Sequence, residues 1–314
     1  MDNSHSSVET VVKHQAPVLF FVLFFMIQAT VFTVFTVPFS WELVLVAVVS
    51  YFVRMFGITA AYHRYFSHSS FKTSRVFQFV LAWIGSMSMQ KGVLWWAAHH
   101  RNHHKYSDTE KDIHSPSRKG FWYSHMFWFL RDEYNDYETK LIPDFYKYPE
   151  LRWIDRNHWI PPLTFAIGLY LAGGWGWLVY GYAVATFFLG HATWTINSLS
   201  HVYGSTRFES RDTSKNNLFL ALLTMGEGWH NNHHYYCSSA NQGFYWYEVD
   251  LSYYILKALS WVGIVWDLKK PPVKVLDEGL RRDAEKKAAL SAAKNLSKPR
   301  KIKTAPSRTV VTSS

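Results

Sequence analysis

Three histidine clusters limit the folds open to this chain, because the residues make chemical sense only if all three meet. They are His63-Arg64-Tyr65-Phe66-Ser67-His68, His99-His100-Arg101-Asn102-His103-His104 and His230-Asn231-Asn232-His233-His234. Eight of the sixteen histidines fall in the pattern H-x4-H, H-x2-H-H, H-x2-H-H. On a helix, positions i, i+3 and i+4 share a face. The spacing therefore predicts that His100, His103 and His104 aim at one spot, and that His230, His233 and His234 do the same. His63 and His68 lie about 140° apart on a regular α-helix. They need a helix end or a π-type distortion to converge, and such distortions often mark functional sites. Neutral imidazole ligates iron, copper or zinc. Eight imidazoles exceed the roughly three protein ligands of a catalytic zinc and suit two six-coordinate ions. The plain alternative is a set of surface histidines that happen to cluster.

The apolar residues decide where such a site sits. They make up 48% of the chain and gather in long runs, with abundant aromatics flanking them, as at membrane interfaces. Ala16 to Val37 carries no charge and is about long enough to span. A secretory signal core is shorter, and a small-residue cleavage site follows it; here a second apolar run comes at once. The reading is an all-α membrane protein with four transmembrane helices at about 16–37, 41–61, 159–172 and 177–199. Residues 1–15 form a flexible N-terminus, the folded domain covers 16–270, and 271–314 form a basic, partly disordered tail.

A parity argument fixes the stretch at about 76–98. If it crossed the bilayer, His100 would land on the opposite side from His63, and the two could not share a centre. It is therefore read as lying in the interface plane, or dipping in and returning; the alternative is an ordinary third span. The stretch at about 244–266 is apolar but carries Glu248, Asp250 and Lys257. It is read as an amphipathic helix capping the site from the water side. A fifth span would put the basic tail outside, against the positive-inside preference.

Charge and cysteine usage remove other classes. From Lys269 onward there are thirteen Lys/Arg and four Asp/Glu, a net +9 of the chain's +10. An anionic lipid surface explains such a tail better than nucleic acid does. The single cysteine, Cys237, excludes an intrachain disulfide. It also excludes an iron–sulfur cluster on the chain's own thiolates, which takes about four. No G-x-S-x-G, P-loop or dinucleotide-binding fingerprint occurs. One Glu-x-x-His is present, Glu227 to His230, whereas carboxylate di-iron bundles use two.

Asn197 and His201 end the fourth helix at i and i+4, on the side of the clusters, and are further candidates for the metal centre. A satisfied helix-end Asn is the alternative for the former. Asp108, Asp112 and His114 are candidate partners that orient ligand imidazoles, the alternative being a solvated loop. The natural chemistry is a di-iron oxygenase acting on a lipid chain, since a dry apolar tunnel protects a strong oxidant from side reactions. No catalytic residue beyond the metal ligands is identified.

The three clusters resemble those of the membrane fatty acyl-CoA desaturases, the stearoyl-CoA Δ9-desaturase group. So do Asn197-x3-His201, Asp108-Thr109-x2-Asp112-x-His114-Ser115 and Gly226-Glu227-Gly228-Trp229-His230-Asn231-Asn232-His233-His234. The resemblance covers about residues 16–270. It implies four transmembrane helices under a cytosolic helical cap that holds two iron ions. By motif the ligands are His63, His68, His100, His103, His104, His201, His230, His233 and His234, with Asn197 contacting one iron through water. The implied reaction inserts a cis double bond, at the Δ9 position in this group, using dioxygen and two electrons. Animal members carry Arg-Asp before the second cluster, where it helps hold CoA; here the pair is Ala98-His99, more like bacterial members. Acyl-CoA is thus the expected substrate, with acyl carrier protein or intact lipid as other carriers. Arg118, Lys119 and Arg131 are candidate phosphate contacts. A His-Pro-Gly-Gly haem motif is absent, so the donor is expected to be a separate ferredoxin or cytochrome with its reductase. The expected location is a bacterial inner membrane, with the site and both termini cytoplasmic. A lipid hydroxylase or an alkane or carotenoid oxygenase would share these ligands. A histidine-rich metal transporter would instead place its ligands near mid-membrane.

Overall fold

The computed structural model describes residues 11–12 and 17–297. The expectations for residues 1–10, 13–16 and 298–314 lie outside the described residues. The structure is mostly helical and divides into two units, one ending at Pro272 and one beginning at Val273.

Helix α1 (Pro17–Ala29) tightens into a 3-10 segment, Thr30–Thr36. The sequence there repeats every third residue, Thr30, Thr33 and Thr36. Each hydroxyl donates to the carbonyl three residues back, at 2.6–2.7 Å. That bond suits a helix in which i and i+3 eclipse. Helix α2 (Trp41–Phe56) starts at Ser40, whose Oγ accepts from the Leu43 N–H at 3.2 Å, satisfying one orphan donor of the first turn. It continues as a π-helix over Gly57–Ser67, longer than the predicted 41–61.

The stretch predicted as one in-plane helix, 76–98, is two. Helix α3 (Arg75–Ser86) and helix α4 (Val93–Tyr106) are separated by Met89 and Lys91, both left-handed (φ 58° and 62°), which no helix continues through. The start of α4 is capped from outside: Asp155 Oδ1 accepts from the Leu94 and Trp95 N–H groups at 2.8 and 3.0 Å. Asp155 belongs to helix α5 (Pro149–Arg156), and its other oxygen accepts from the Tyr137 hydroxyl at 2.7 Å. Helix α3 touches the π-helical part of α2 through two glycines. A Cβ on Gly57 would sit 2.8 Å from the Gly85 nitrogen, and one on Gly85 2.4 Å from the Tyr62 ring. The core between these helices is lined by Met55, Ala61, Tyr62, Phe66, Leu81, Leu94 and Ala98, none of them solvent-accessible.

Helix α6 (Ile160–Trp177) breaks at Gly173–Gly174, where Gly174 has φ 67° and ψ −153°. The chain then returns through a π-helical turn, Leu178–Val184, into helix α7 (Ala185–Asn197). By length and composition, Trp41–Ser67 and Ile160–His201 are each apolar enough to cross a membrane, and Phe21–Thr36 is a shorter apolar helix. Three short helices follow: α8 (Leu218–Leu223), α9 (His230–Tyr235) and α10 (Leu251–Trp261). Helix α10 is shorter than the predicted 244–266 for two reasons. Asp250 caps it by accepting from the Tyr253 N–H at 3.0 Å, and Val265–Trp266 leaves as a strand paired antiparallel with Lys72–Thr73. The second unit contains helix α11 (Val273–Leu296), whose Glu278–Arg282 and Arg281–Glu285 pairs are spaced i, i+4 and support a polar helix.

Candidate metal centre

The nine histidines singled out from the sequence fall into two sets. Ring nitrogens of His63, His68, His100, His104 and His233 all lie within 4.8 Å of one another, and so do those of His103, His201, His230 and His234. Each cluster contributes for a local reason. The π-helix bonds the His68 N–H to the His63 carbonyl, five residues back, at 3.2 Å. This brings the two rings to 5.0 Å, as the H-x4-H spacing requires. On α4 and α9 the expectation that each H-x2-H-H aims at one spot is corrected. His100 and His104 go to the first set and His103 to the second; His230 and His234 go to the second and His233 to the first. At about 100° per residue, i and i+4 lie about 40° apart, whereas i+3 and i+4 lie about 100° apart. The i+3 imidazole therefore crosses to the neighbouring set.

A six-residue helix such as α9 is marginal alone. Its two asparagines hold it in place. Asn231 Oδ1 accepts from the Arg207 and Phe208 N–H groups, both at 2.8 Å. Asn232 Nδ2 donates to the Gln242 carbonyl at 3.0 Å and to Glu248 at 2.9 Å.

Behind the rings stand groups that fix their tautomers. Asp112 accepts from His103 Nδ1 at 2.9 Å, Asp212 from His234 Nδ1 at 2.6 Å, and Glu227 from His63 Nδ1. His201 Nδ1 reaches Thr213 Oγ1 at 3.2 Å, and that hydroxyl donates to Asp108 at 2.7 Å. A proton held on Nδ1 leaves Nε2 with a lone pair. Nε2 atoms of the sets face one another: His63, held in this tautomer, and His233 at 2.9 Å, His201, likewise held, and His230 at 3.1 Å, His104 and His233 at 2.9 Å, and His68 and His100 at 2.9 Å. His103 Nε2 and His234 Nε2 are buried without a hydrogen-bond partner. Lone pairs pressed together in a buried site repel, and a cation between them removes the repulsion. The donor set therefore fits metal ions.

Protonation of six of these imidazoles agrees with that fit, while Asp112 outweighs burial and holds His103 above the usual histidine range. Burial, and then repulsion from neighbouring imidazoles, holds His68, His100, His104, His230 and His233 well below the usual histidine range. Burial also pushes His234 down to about 4, against the pull of Asp212. Metal ligation needs neutral imidazole. Burial works against ionisation of Asp112 and Asp212, but His103 and His234 outweigh it and hold both carboxyls below the usual range.

The other candidates separate. Asp112 and Asp108 stand behind ligand rings as described. His114 lies tilted against His103, ring centroids 4.2 Å apart, and lines a cavity of about 310 Å³. Asn197 lines the same cavity, with Trp96 and His100. Arg118 pairs with Glu110 at 3.0 Å and Lys119 donates to the Tyr134 hydroxyl at 2.9 Å, while Arg131 is exposed. Sequence reasoning missed Asp212, Thr213 and Gln242, whose Nε2 donates to Glu227 Oε2 at 3.1 Å, and gave Glu227 no such role. It also missed Arg64, which is fully buried and bonds both Asp250 oxygens, at 2.9 and 3.0 Å, and Glu227 Oε1 at 3.2 Å. Only Glu227 carried a signal, its place in Glu-x-x-His.

Comparison with known proteins bears on the same residues. The family model for fatty acid desaturases matches residues 39–262. The chain is 38% identical to an acyl-CoA 5-desaturase of Anemone leveillei over 239 residues, 74% of each chain. It is 38% identical to an sn-1 stearoyl-lipid 9-desaturase of Synechocystis, again over 74% of each. It is 36% identical to an sn-2 palmitoyl-lipid 9-desaturase of Nostoc, over 74% of this chain and 84% of that one.

Proposed function

This chain belongs to the fatty acid desaturase family, and from that premise we propose that it is a di-iron Δ9 acyl desaturase. The observation that carries the reading is the pairing of two imidazole sets with an apolar cavity that reaches His100. Bound there, two iron ions would supply activation of dioxygen. His63, His68, His100, His104 and His233 would hold one ion. His103, His201, His230 and His234 would hold the other, with Asn197 reaching an ion through water. Balanced, the reaction takes two hydrogens from adjacent methylenes; with dioxygen, two electrons and two protons, it yields a cis alkene and two waters. The electrons come from a separate donor such as a ferredoxin or cytochrome.

The chain's own residues orient and exclude. Asp112, Asp212, Glu227 and the Thr213–Asp108 pair hold protons on Nδ1 and aim each Nε2 inward. Trp96, Trp128, Phe129 and Trp194 wall the cavity, keeping water from the acyl chain. The protein spans the membrane four times, at about 16–37, 41–61, 159–172 and 177–199, with the site and both termini on the cytoplasmic face. The basic tail supports that orientation.

Carbon 9 is supported by the 9-desaturases among the relatives, two of them those of Synechocystis and Nostoc. The carrier is coenzyme A in the first reading. A second reading, an acyl chain on intact lipid, is favoured by the acyl-lipid desaturases among the relatives and by the bond of His99 to the Trp95 carbonyl at 2.9 Å. The test is mass spectrometry of total fatty acids from cells expressing the chain, with and without His103→Ala. The expected result is a new cis-Δ9 monoene that disappears, together with bound iron, in the variant. His5→Ala leaves both unchanged. A hydroxy acid in place of the monoene moves the chain to the hydroxylases, and equal iron in the two variants refutes the ligand set.

A further inference from the structure

Arg54 lies in α2, within a segment read as membrane-spanning, and none of it is exposed. Its partners are all neutral. Nε donates to the Ser50 carbonyl at 3.2 Å, Nη1 to Thr186 Oγ1 at 2.6 Å and Nη2 to the Gly181 carbonyl at 3.2 Å. The rings of Phe165 and Tyr182 lie 5.1 and 5.7 Å from its guanidinium carbon. Among the described residues no carboxylate pairs with it. A guanidinium does not shed its charge in a protein, and charges within a membrane are costly and tend to mark function.

Its position gives it one. Thr186 lines the cavity, and so does Ser88, whose hydroxyl donates to the Arg54 carbonyl at 3.0 Å. Asn197, Thr193, Gly190 and Thr186, spaced four, three and four, form the stripe of α7 along that cavity. From Asn197 to Thr186 the helix descends about 16 Å, and Arg54 lies nine residues before His63 on the helix that continues α2. Both helices therefore put the Arg54–Thr186 bond at the end of the cavity away from the imidazoles. An acyl chain threaded past the metal centre meets a hydroxyl there that cannot swing aside without stranding a buried guanidinium N–H. Losing that bond to a charged donor is expensive, and a terminal methyl offers nothing in return.

We propose that Arg54, acting through Thr186, is the floor of the acyl cavity and sets the longest chain the enzyme accepts. The inference rests on the acyl desaturase reading. Its test offers saturated acyl substrates of graded length to the wild type, Thr186→Leu, Thr186→Ala and Arg54→Ala, and sorts the monoene products by length, with bound iron as the check on folding. One methylene in a fitted pocket is worth about tenfold or more in discrimination. The wild type is expected to reject a chain two carbons beyond its preferred length by at least about that factor. Thr186→Leu shifts the preference to shorter chains. Thr186→Ala and Arg54→Ala relax rejection of the longer chain to within a few-fold. If Arg54→Ala loses iron, the two Thr186 variants decide. Iron-replete Thr186 variants with the wild-type length preference overturn the floor while leaving the desaturase reading intact. A wild type that makes no monoene from any length overturns the reading, and the floor with it.

Discussion

Asp212 offers a test of the two-set arrangement that does not depend on turnover. Its carboxylate accepts from His234 Nδ1 at 2.6 Å, and His234 belongs only to the four-histidine set. Asp212→Asn keeps an oxygen acceptor but removes the charge. A hydrogen bond to a charged group is worth about 1.5–3 kcal/mol and a neutral one about 0.5–1.5, so the exchange costs His234 about 1–1.5 kcal/mol of orientation. That is roughly tenfold in metal affinity. Asp212→Ala loses the whole bond and should cost up to about 100-fold, the upper range for partners behind a ligand histidine. The assay is anaerobic competition for ferrous iron against a chromophoric chelator in detergent, with iron counted per chain. Wild-type protein should release two ions. In Asp212→Asn one should be released about tenfold more readily and the other as in wild type, with Asp212→Ala widening the gap. Asp277→Asn on α11 should match wild type. If both ions weaken together, or neither does, the assignment of His234 to one ion is wrong.

Three further outcomes follow from the packing. Gly85→Ala pushes a methyl into the Tyr62 ring; it should lower stability by about 1–3 kcal/mol and reduce bound iron, read by thermal melting and metal analysis. Asp155→Ala strips the external cap from α4; it should cost about 1–2 kcal/mol and loosen both ions, because α4 serves both sets. Burial pushes Lys91 down to about 7, against the pull of Asp136. From about pH 7 to 10.5 the unfolded chain therefore binds more protons than the folded one, and stability rises with pH across that window. Lys91→Met should flatten this slope by up to about 1.4 kcal/mol per pH unit, measured as the melting midpoint from pH 7 to 9; an unchanged slope refutes the assignment.

Features set by local periodicity were legible in the sequence. The H-x4-H spacing called for a helix end or a π distortion, and the chain supplies the latter at Gly57–Ser67. The glycines at 173–176 marked the turn, and the break falls at Gly173–Gly174. The candidate partners Asp108 and Asp112 sit near their histidines in sequence and were found. Asp212, Thr213 and Gln242 were not, because each reaches its imidazole or its neighbouring carboxylate from a loop and no spacing rule links them. The break between α3 and α4 was hidden for another reason. Met89 and Lys91 adopt left-handed backbone, which neither side chain favours, so propensity pointed the wrong way and the surrounding packing prevailed.

The crossing of the i+3 histidines has a mechanical consequence. Helix α4 gives His100 and His104 to one set and His103 to the other, and α9 gives His233 to one and His230 and His234 to the other. Each short helix is therefore shared by both sets. Moving either helix toward one set must shift a ligand of the other by a comparable amount. Asn231, Asn232 and Asp155 lock these two helices through their ends and flanks, independently of the imidazoles. This frame lets buried imidazoles face each other nitrogen to nitrogen at about 3 Å. Without it the rings would be free to rotate apart and solvate their nitrogens, and the donor sets that fit metal ions would be lost.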